Sequence, residues 1–418
     1  MDEGSMEPHS PSADDNTSIS RRLVIPGLAT GHATFHWIVQ GFAVALPEIQ
    51  AAFGLNSVGV AGVMSARDLA AGLIALPGGV VVDVLRRYWG FLLAGCLAVA
   101  SLGSLAMGIS PVYPLLLISI GVVAVSHSLW HLPASASLSH HFSERRGMAL
   151  AFHGVGGSVG DVVGPLATGA LLAFLSWRGL LSVYAIPPFF LTFVAVWAFR
   201  NIGRNDSEAE SPADSPTMAR RMYLTRRLLR SPVLWGLTFV RGLRNITLIS
   251  IVTVLSLYLG NELEMNPAWR GFHIALLIAT GLLAKPVAGY LSDRLGRKQV
   301  MVPGLLWSCL LTLALVLFDS GVALTIAVAL LGLFLYPDQP ILTAAVFDVV
   351  GQDVASTALG AVSCVAFLMS AASLLVAGAI YETMGFTATM YFIATLFALA
   401  AAIFAVLPLS HAVAQSDS

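Results

Sequence analysis

Charge is what this sequence has least of. Only 11% of its 418 residues are Asp, Glu, Lys or Arg, against about 25% in soluble domains. That excludes a fold whose whole surface faces water. Cysteine is scarce too: Cys96, Cys309 and Cys364 each fall inside an apolar run, so they read as small apolar residues and not as a disulfide framework. No apolar segment precedes Arg21, so the acidic, Ser/Pro-rich start reads as a disordered tail and not as a signal peptide. Neither a phosphate-binding Gly-Lys loop nor a dinucleotide fingerprint occurs, which excludes ATP as the direct energy source. The short apolar/polar alternation of a membrane β-barrel is missing as well.

What is present is apolar length. Hydrophobic residues make up 57% of the chain and mean hydropathy is +0.81. Twelve stretches are long enough to cross a hydrocarbon core of about 30 Å as helices. They lie near 23–47, 58–82, 89–109, 113–138, 147–174, 180–199, 232–259, 271–291, 299–318, 322–347, 357–381 and 387–409. The pattern predicts an all-α, multi-pass membrane protein. A tail (1–22) precedes one six-helix bundle (23–200), a polar and Arg-rich linker (201–231) separates it from a second (232–409), and a short tail ends the chain (410–418).

Basic residues set the orientation. With both termini in the cytoplasm, sixteen of the 22 Lys and Arg fall in inside segments and only Arg178 and Arg270 outside. Such asymmetry is the positive-inside rule, and it predicts a cell-membrane protein, in a bacterium the inner membrane. Arg67, Arg241, Arg244 and Lys285 lie within spans.

The two halves repeat each other. Gly289–Arg297 reads G-Y-L-S-D-R-L-G-R, followed by Lys298, and 210 positions earlier Gly79–Arg87 reads G-V-V-V-D-V-L-R-R. The motif's Gly79 and Gly289 predict close helix approach. Asp83 and Asp293 can accept hydrogen bonds from a helix N-terminus or from Arg297. Together with the E-R-R-G loop at 144–147, these motifs resemble the major facilitator superfamily over residues 23–409. The resemblance implies two six-helix bundles that rock about a midplane site, with Gly79, Asp83, Arg87, Gly289, Asp293, Gly296 and Arg297 latching one face. The first copy carries Arg86 where the pattern has glycine, so its turn departs from the family's. His131-Leu132-Pro133-Ala134-Ser135 is similar to a segment of fosmidomycin-resistance exporters. The stripe Gly156, Gly160, Gly164 before Pro165 resembles an antiporter motif, and helix packing explains it equally well.

Ionisable groups are costly inside a membrane and are functional candidates. His32 and His36 on span one lie at the depth of Arg241 and Arg244 on span seven, and each pair shares a helix face. Four buried cations against few acids point to a small organic or phosphorylated anion, which arginine binds through two oxygens at once. The expected substrate contacts are Arg241, Arg244, Arg67, His36 and Lys285. The expected proton carriers are Asp68, Asp161 and His153. The alternative is an exporter of drugs or metabolites whose cations are paired internally, Arg67 with Asp161 or Lys285 with Asp338.

His32 with His36, and His127 with His131, are each four apart, so each pair could hold a metal ion. The sequence places no further ligand beside either pair, so packing histidines are the reading and neither metal nor cofactor is expected. A membrane enzyme lacks a reactive constellation, and a sensor lacks a signalling domain. The expected partners are an anionic solute, protons and the lipid bilayer, with no nucleic acid and no second copy required.

Overall fold

A computed structural model describes residues 13–142, 145–200, 202, 230–350 and 355–409. Among these residues there are helices and turns and no strand. The first half comprises α1 (Ala13–Val44), α2 (Leu46–Phe53), α3 (Ser57–Val84), α4 (Trp89–Gly108), α5 (Tyr113–His141), α6 (Arg146–Leu171), α7 (Trp177–Val183) and α8 (Ile186–Ala198). The second comprises α9 (Pro232–Leu257), α10 (Pro267–Leu295), α11 (Arg297–Leu317), α12 (Gly321–Leu335), α13 (Asp338–Val350) and α14 (Ala355–Val406). Most of the linker and the loop of the E-R-R-G motif, whose Ser143 and Glu144 are not described, lie outside these residues.

Among the described residues nine stretches are long and apolar enough to cross a membrane. One of them, α14, is two crossings: Gly385 adopts φ 78° and breaks the helix, a conformation that suits glycine. Helices α1 and α6 are diluted by histidine, threonine and glycine and stay outside the nine, though each exceeds 25 residues. Twelve crossings in two six-helix bundles result. Helix α1 begins at Ala13, ten residues before the predicted span, in the stretch expected to be a disordered tail.

Local chemistry fixes the helix starts. Asn56, Ser231 and Asn266 accept backbone N–H groups from Gly59, Leu234 and Trp269, the N-cap role of short polar side chains. Pro232 and Pro267 follow two of these caps, where a missing N–H costs nothing.

The glycine stripe of α6 packs on α1 with backbone contact. A Cβ on Gly156 would lie 2.2 Å from the Ala29 carbonyl oxygen, one on Gly160 2.1 Å from that of Ala33, and one on Gly164 2.7 Å from that of Trp37. Three glycines at i, i+4 and i+8 thus meet three residues of α1 at the same spacing. Between the halves, α3 runs along the first part of α14 and α6 along α10.

Hydrogen bonds across the halves gather toward one end of the bundle. Arg270, 2% exposed, donates to the Val44 carbonyl at 2.8 Å and to Glu48 Oε1 at 2.5 Å. Glu382 Oε2 accepts the Ser57 N–H at 2.8 Å. Ser256 donates to the Ala43 carbonyl at 2.6 Å, and Asn261 to Gln50 at 2.7 Å.

At the opposite end the prediction for two motif glycines fails. A Cβ on Gly79 or Gly289 would meet nothing within 4 Å, so neither supports a close helix approach. Hydrogen bonds join the halves at the Arg270 end, and the Cβ positions of these two glycines face open space. The motif's arginine is engaged within its own half. Arg297 bonds Ser292 at 3.0 Å, Asp348 at 3.1 Å, and Asp293. Gly296 turns the chain at φ 102°. In the first copy, where Arg86 replaces glycine, Arg86–Tyr88 forms a 3-10 turn instead. Arg87 is exposed, and the side chain of Asp83 lies outside the described residues.

Candidate functional site

Proline builds one side of the site. Helices α12 and α13 are interrupted at Tyr336 and Pro337, because proline has no N–H and its ring crowds the preceding turn. The break leaves the Leu335 carbonyl without a helical partner, and Arg244 of α9 donates to it. The same guanidinium reaches Asp338 at the start of α13, Nη2 to Oδ1 2.8 Å. Arg244 is 5% exposed and Asp338 1%, so this is a buried ion pair capped on a broken helix.

Arg241, one turn earlier, is different. Its Nη1 donates to Thr343 Oγ1 at 3.1 Å. Among the described residues no carboxylate pairs with it. It lines a cavity of about 480 Å³, open mouth included, with Asn245, Gln339, Ser363, Phe367 and the Arg244–Asp338 pair. Helices α9, α13 and α14 supply these residues, so the pocket belongs mainly to the second half. Asn245 connects it to the first half, its Nδ2 lying 3.5 Å from Asp68 Oδ2.

The remaining candidates sort by partner. Arg67 turns back on its neighbour and bonds Asp68 Oδ1 through Nε at 3.1 Å and Nη2 at 2.9 Å. The expected alternatives, Arg67 with Asp161 and Lys285 with Asp338, are both displaced: Asp161 is taken by His36 and Asp338 by Arg244. Sequence spacing identifies a helix face, and which acid crosses to it depends on helix rotation. Lys285 is half-buried and forms no ion pair within 4 Å among the described residues; Asp161 is the opposite charge acting on it.

The histidines converge. His32 and His36 of α1, His127 and His131 of α5, and His153 of α6 form one cluster within the first half. Ring centroids are 4.5 Å apart for His32 and His36, 4.7 Å for His32 and His131, 4.9 Å for His36 and His127, and 4.2 Å for the stacked His32 and His153. Glycine makes this possible. A Cβ on Gly157 would sit 2.5 Å from the His32 ring, and one on Gly31 2.4 Å from the ring of Trp130, which is fully buried beside the cluster. His32 Nδ1 bonds the His153 carbonyl at 2.8 Å, and His36 Nδ1 bonds Asp161 Oδ1 at 2.6 Å.

Spacing alone placed two histidine pairs on two helices; their meeting was hidden until α1 and α5 were packed. Thr343, Gln339 and Asn245 carried no signal beyond being polar residues within apolar runs.

Comparison with known proteins adds the following. The family model described as Major Facilitator Superfamily matches residues 28–280 and 239–417. A Bacillus subtilis protein named as the uncharacterized MFS-type transporter YfnC is 24% identical over 297 residues, 70% of this chain and 71% of that one. A probable hexose phosphate transport protein of Chlamydia trachomatis is 21% identical over 66% of this chain and 65% of its own length. The probable nitrate/nitrite transporter NarK2 of Mycobacterium tuberculosis is 26% identical over 48% and 47%. Among solved structures, a bacterial homolog of the human lysosomal transporter Spinster, inward-facing and unoccupied, superposes with a TM-score of 0.78 at 13% identity, over 93% of this chain and 97% of that one. At that identity the likeness speaks for the fold.

Proposed function

Since this chain belongs to the major facilitator superfamily and is a multi-pass membrane transporter, we propose that it carries a small organic or phosphorylated anion by alternating access, coupled to protons. Arg241 carries the reading. It is a guanidinium lining a cavity, with a hydroxyl partner and, among the described residues, no carboxylate to neutralise it. A desolvated cation without a counter-ion is costly, and an anionic substrate supplies the missing charge. Asn245, Gln339 and Ser363 offer hydrogen bonds, and Phe367 an apolar wall. Two of the relatives are named for hexose phosphate and for nitrate/nitrite, and both kinds of solute are anions.

The internal pairs narrow the roles. Arg244 shapes the pocket while Asp338 neutralises it, and Arg67 is neutralised by its neighbour Asp68. Asp68 is the proton carrier in this reading. It is 1% exposed and stands between Arg67 of its own half and Asn245 of the other. Protonating it would release Arg67 and loosen the contact between halves. In this reading both termini lie on the cytoplasmic side of a cell membrane, which the arginine-rich segments support, and one copy of the chain acts alone.

The test is uptake or counterflow of phosphorylated and carboxylic solutes in proteoliposomes, beside ligand-induced thermal shifts. An anion that stabilises the wild type and is transported by it should do neither with Arg241→Gln, the protein remaining folded. Full transport by that variant would overturn the assignment. A second reading, export of drugs or metabolites with internally paired cations, draws on Arg244 and Arg67 being paired; stabilisation by neutral or cationic drugs alone would favour it.

A further inference from the structure

The histidine cluster is separate from the cavity around Arg241, and it has the construction of a metal site. We infer that His32, His36 and His131 bind one divalent transition-metal ion of the Zn²⁺, Co²⁺ or Ni²⁺ type within the first six-helix bundle. The nitrogens these three residues can offer all lie within 4.8 Å of one another. A tetrahedral ion at about 2.0–2.1 Å from each nitrogen needs separations of about 3.3 Å, so ring rotations of about an ångström close the site.

The orientation of two rings is the stronger observation. His32 has Nδ1 on the His153 carbonyl, and His36 has Nδ1 on the Asp161 carboxylate. In both rings the other nitrogen, Nε2, is buried without a hydrogen-bond partner. Metal-binding imidazoles are held in this way: one nitrogen donates to a carbonyl or carboxylate, which fixes the tautomer and turns a lone pair on the other toward the ion. His32 is itself more than nine-tenths buried, at 8% exposure. A bare lone pair in that position carries a desolvation cost that a cation would remove.

His131 completes the set from α5, and His127 Nε2 lies 3.1 Å from its Nε2. Imidazoles suit borderline cations, whereas Mg²⁺ and Ca²⁺ prefer oxygen ligands. Three protein ligands leave a fourth position for water or a passing solute. The side chain of His36 keeps 22% exposure and gives the ion its way in. This site does not depend on the anion reading, since none of its ligands lines the Arg241 cavity.

The test uses the full chain in detergent, chelator-treated and with any affinity tag removed, titrated with Co²⁺ alone. The expected result is saturation at one Co²⁺ per chain, with the visible absorption of a four-coordinate ion displaced by Zn²⁺. His36→Ala and His131→Ala should each abolish that spectrum. Asp161→Asn, which keeps all three ligands, should weaken binding about 10- to 100-fold. His273→Ala is the control and should leave it unchanged, because His273 sits in the other half on the Trp269 carbonyl and Thr325. Absence of a saturable Co²⁺ signal in the wild type would overturn the inference whatever the variants do. So would a signal that survives both alanine substitutions.

Discussion

Two arginines one turn apart on α9 should fail in different ways. Replacing Asp338 with Asn leaves the Arg244 guanidinium buried, with the Leu335 carbonyl and a neutral amide. Removing one partner of a buried ion pair costs about 3–5 kcal/mol. Arg241→Gln loses one hydrogen bond to a threonine hydroxyl, about 1 kcal/mol, in a side chain that already faces a cavity. At about 2.1 cal/mol/K of unfolding entropy per residue, a chain of this length loses roughly one degree of melting temperature per kcal/mol. Asp338→Asn should therefore melt roughly 3–6 °C below the wild type and Arg241→Gln within about 1–2 °C of it. The assay is thermal unfolding in detergent, followed by intrinsic fluorescence and size-exclusion recovery. Replacing both members together, as Arg244→Met with Asp338→Leu, should recover most of the loss, since apolar residues of similar volume often substitute for a buried pair at little cost. Equal destabilisation by Asp338→Asn and Arg241→Gln would refute the division between a structural and a substrate-facing arginine. So would no recovery in the double variant.

Other outcomes follow from the packing. Gly160→Ala should lower folded yield and melting temperature, because its methyl would strike the Ala33 carbonyl and overpacking costs about 1–3 kcal/mol; Gly79→Ala, with open space and helical backbone, should be neutral or stabilising by up to about 1 kcal/mol, both read by size-exclusion and thermal unfolding. Glu48→Gln removes the charge facing Arg270 across the halves, so spin labels at Ala51 and Glu264 should show a wider distance population than in the wild-type background. An unchanged distribution would mean that the backbone bonds alone hold this end closed.

Much of the fold was legible because membranes impose length: apolar runs, basic loops and a motif repeated at an offset of 210 residues mark twelve crossings and two halves. The stripe Gly156–Gly160–Gly164 announced a close contact, and the structure supplies its partner, Ala29–Ala33–Trp37. What stayed hidden was pairing. Arg244 shares its helix face with Arg241, yet among the described residues Arg244 alone of the two meets an acid, because the break at Pro337 swings Asp338 and the Leu335 carbonyl toward it. His32 and His131 are 99 positions apart and meet only after α1 and α5 pack. Gly79 and Gly289 mark where helices can approach, and a sequence motif does not say in which state of the molecule they do.

The seam at the Arg270 end has one more property. Several of its acceptors and one of its donors are main-chain groups: the Val44 and Ala43 carbonyls, the Ala371 carbonyl that takes Ser65, and the Ser57 N–H. Every amino acid provides the same carbonyl. Residues 43, 44 and 371 can therefore drift among helix-compatible types without unfastening the seam, while selection bears on Arg270, Ser256, Ser65 and Glu382. Over evolutionary time such a fastening would keep its grip on one side while the other side's sequence wandered, leaving few covarying pairs to betray that the two surfaces touch.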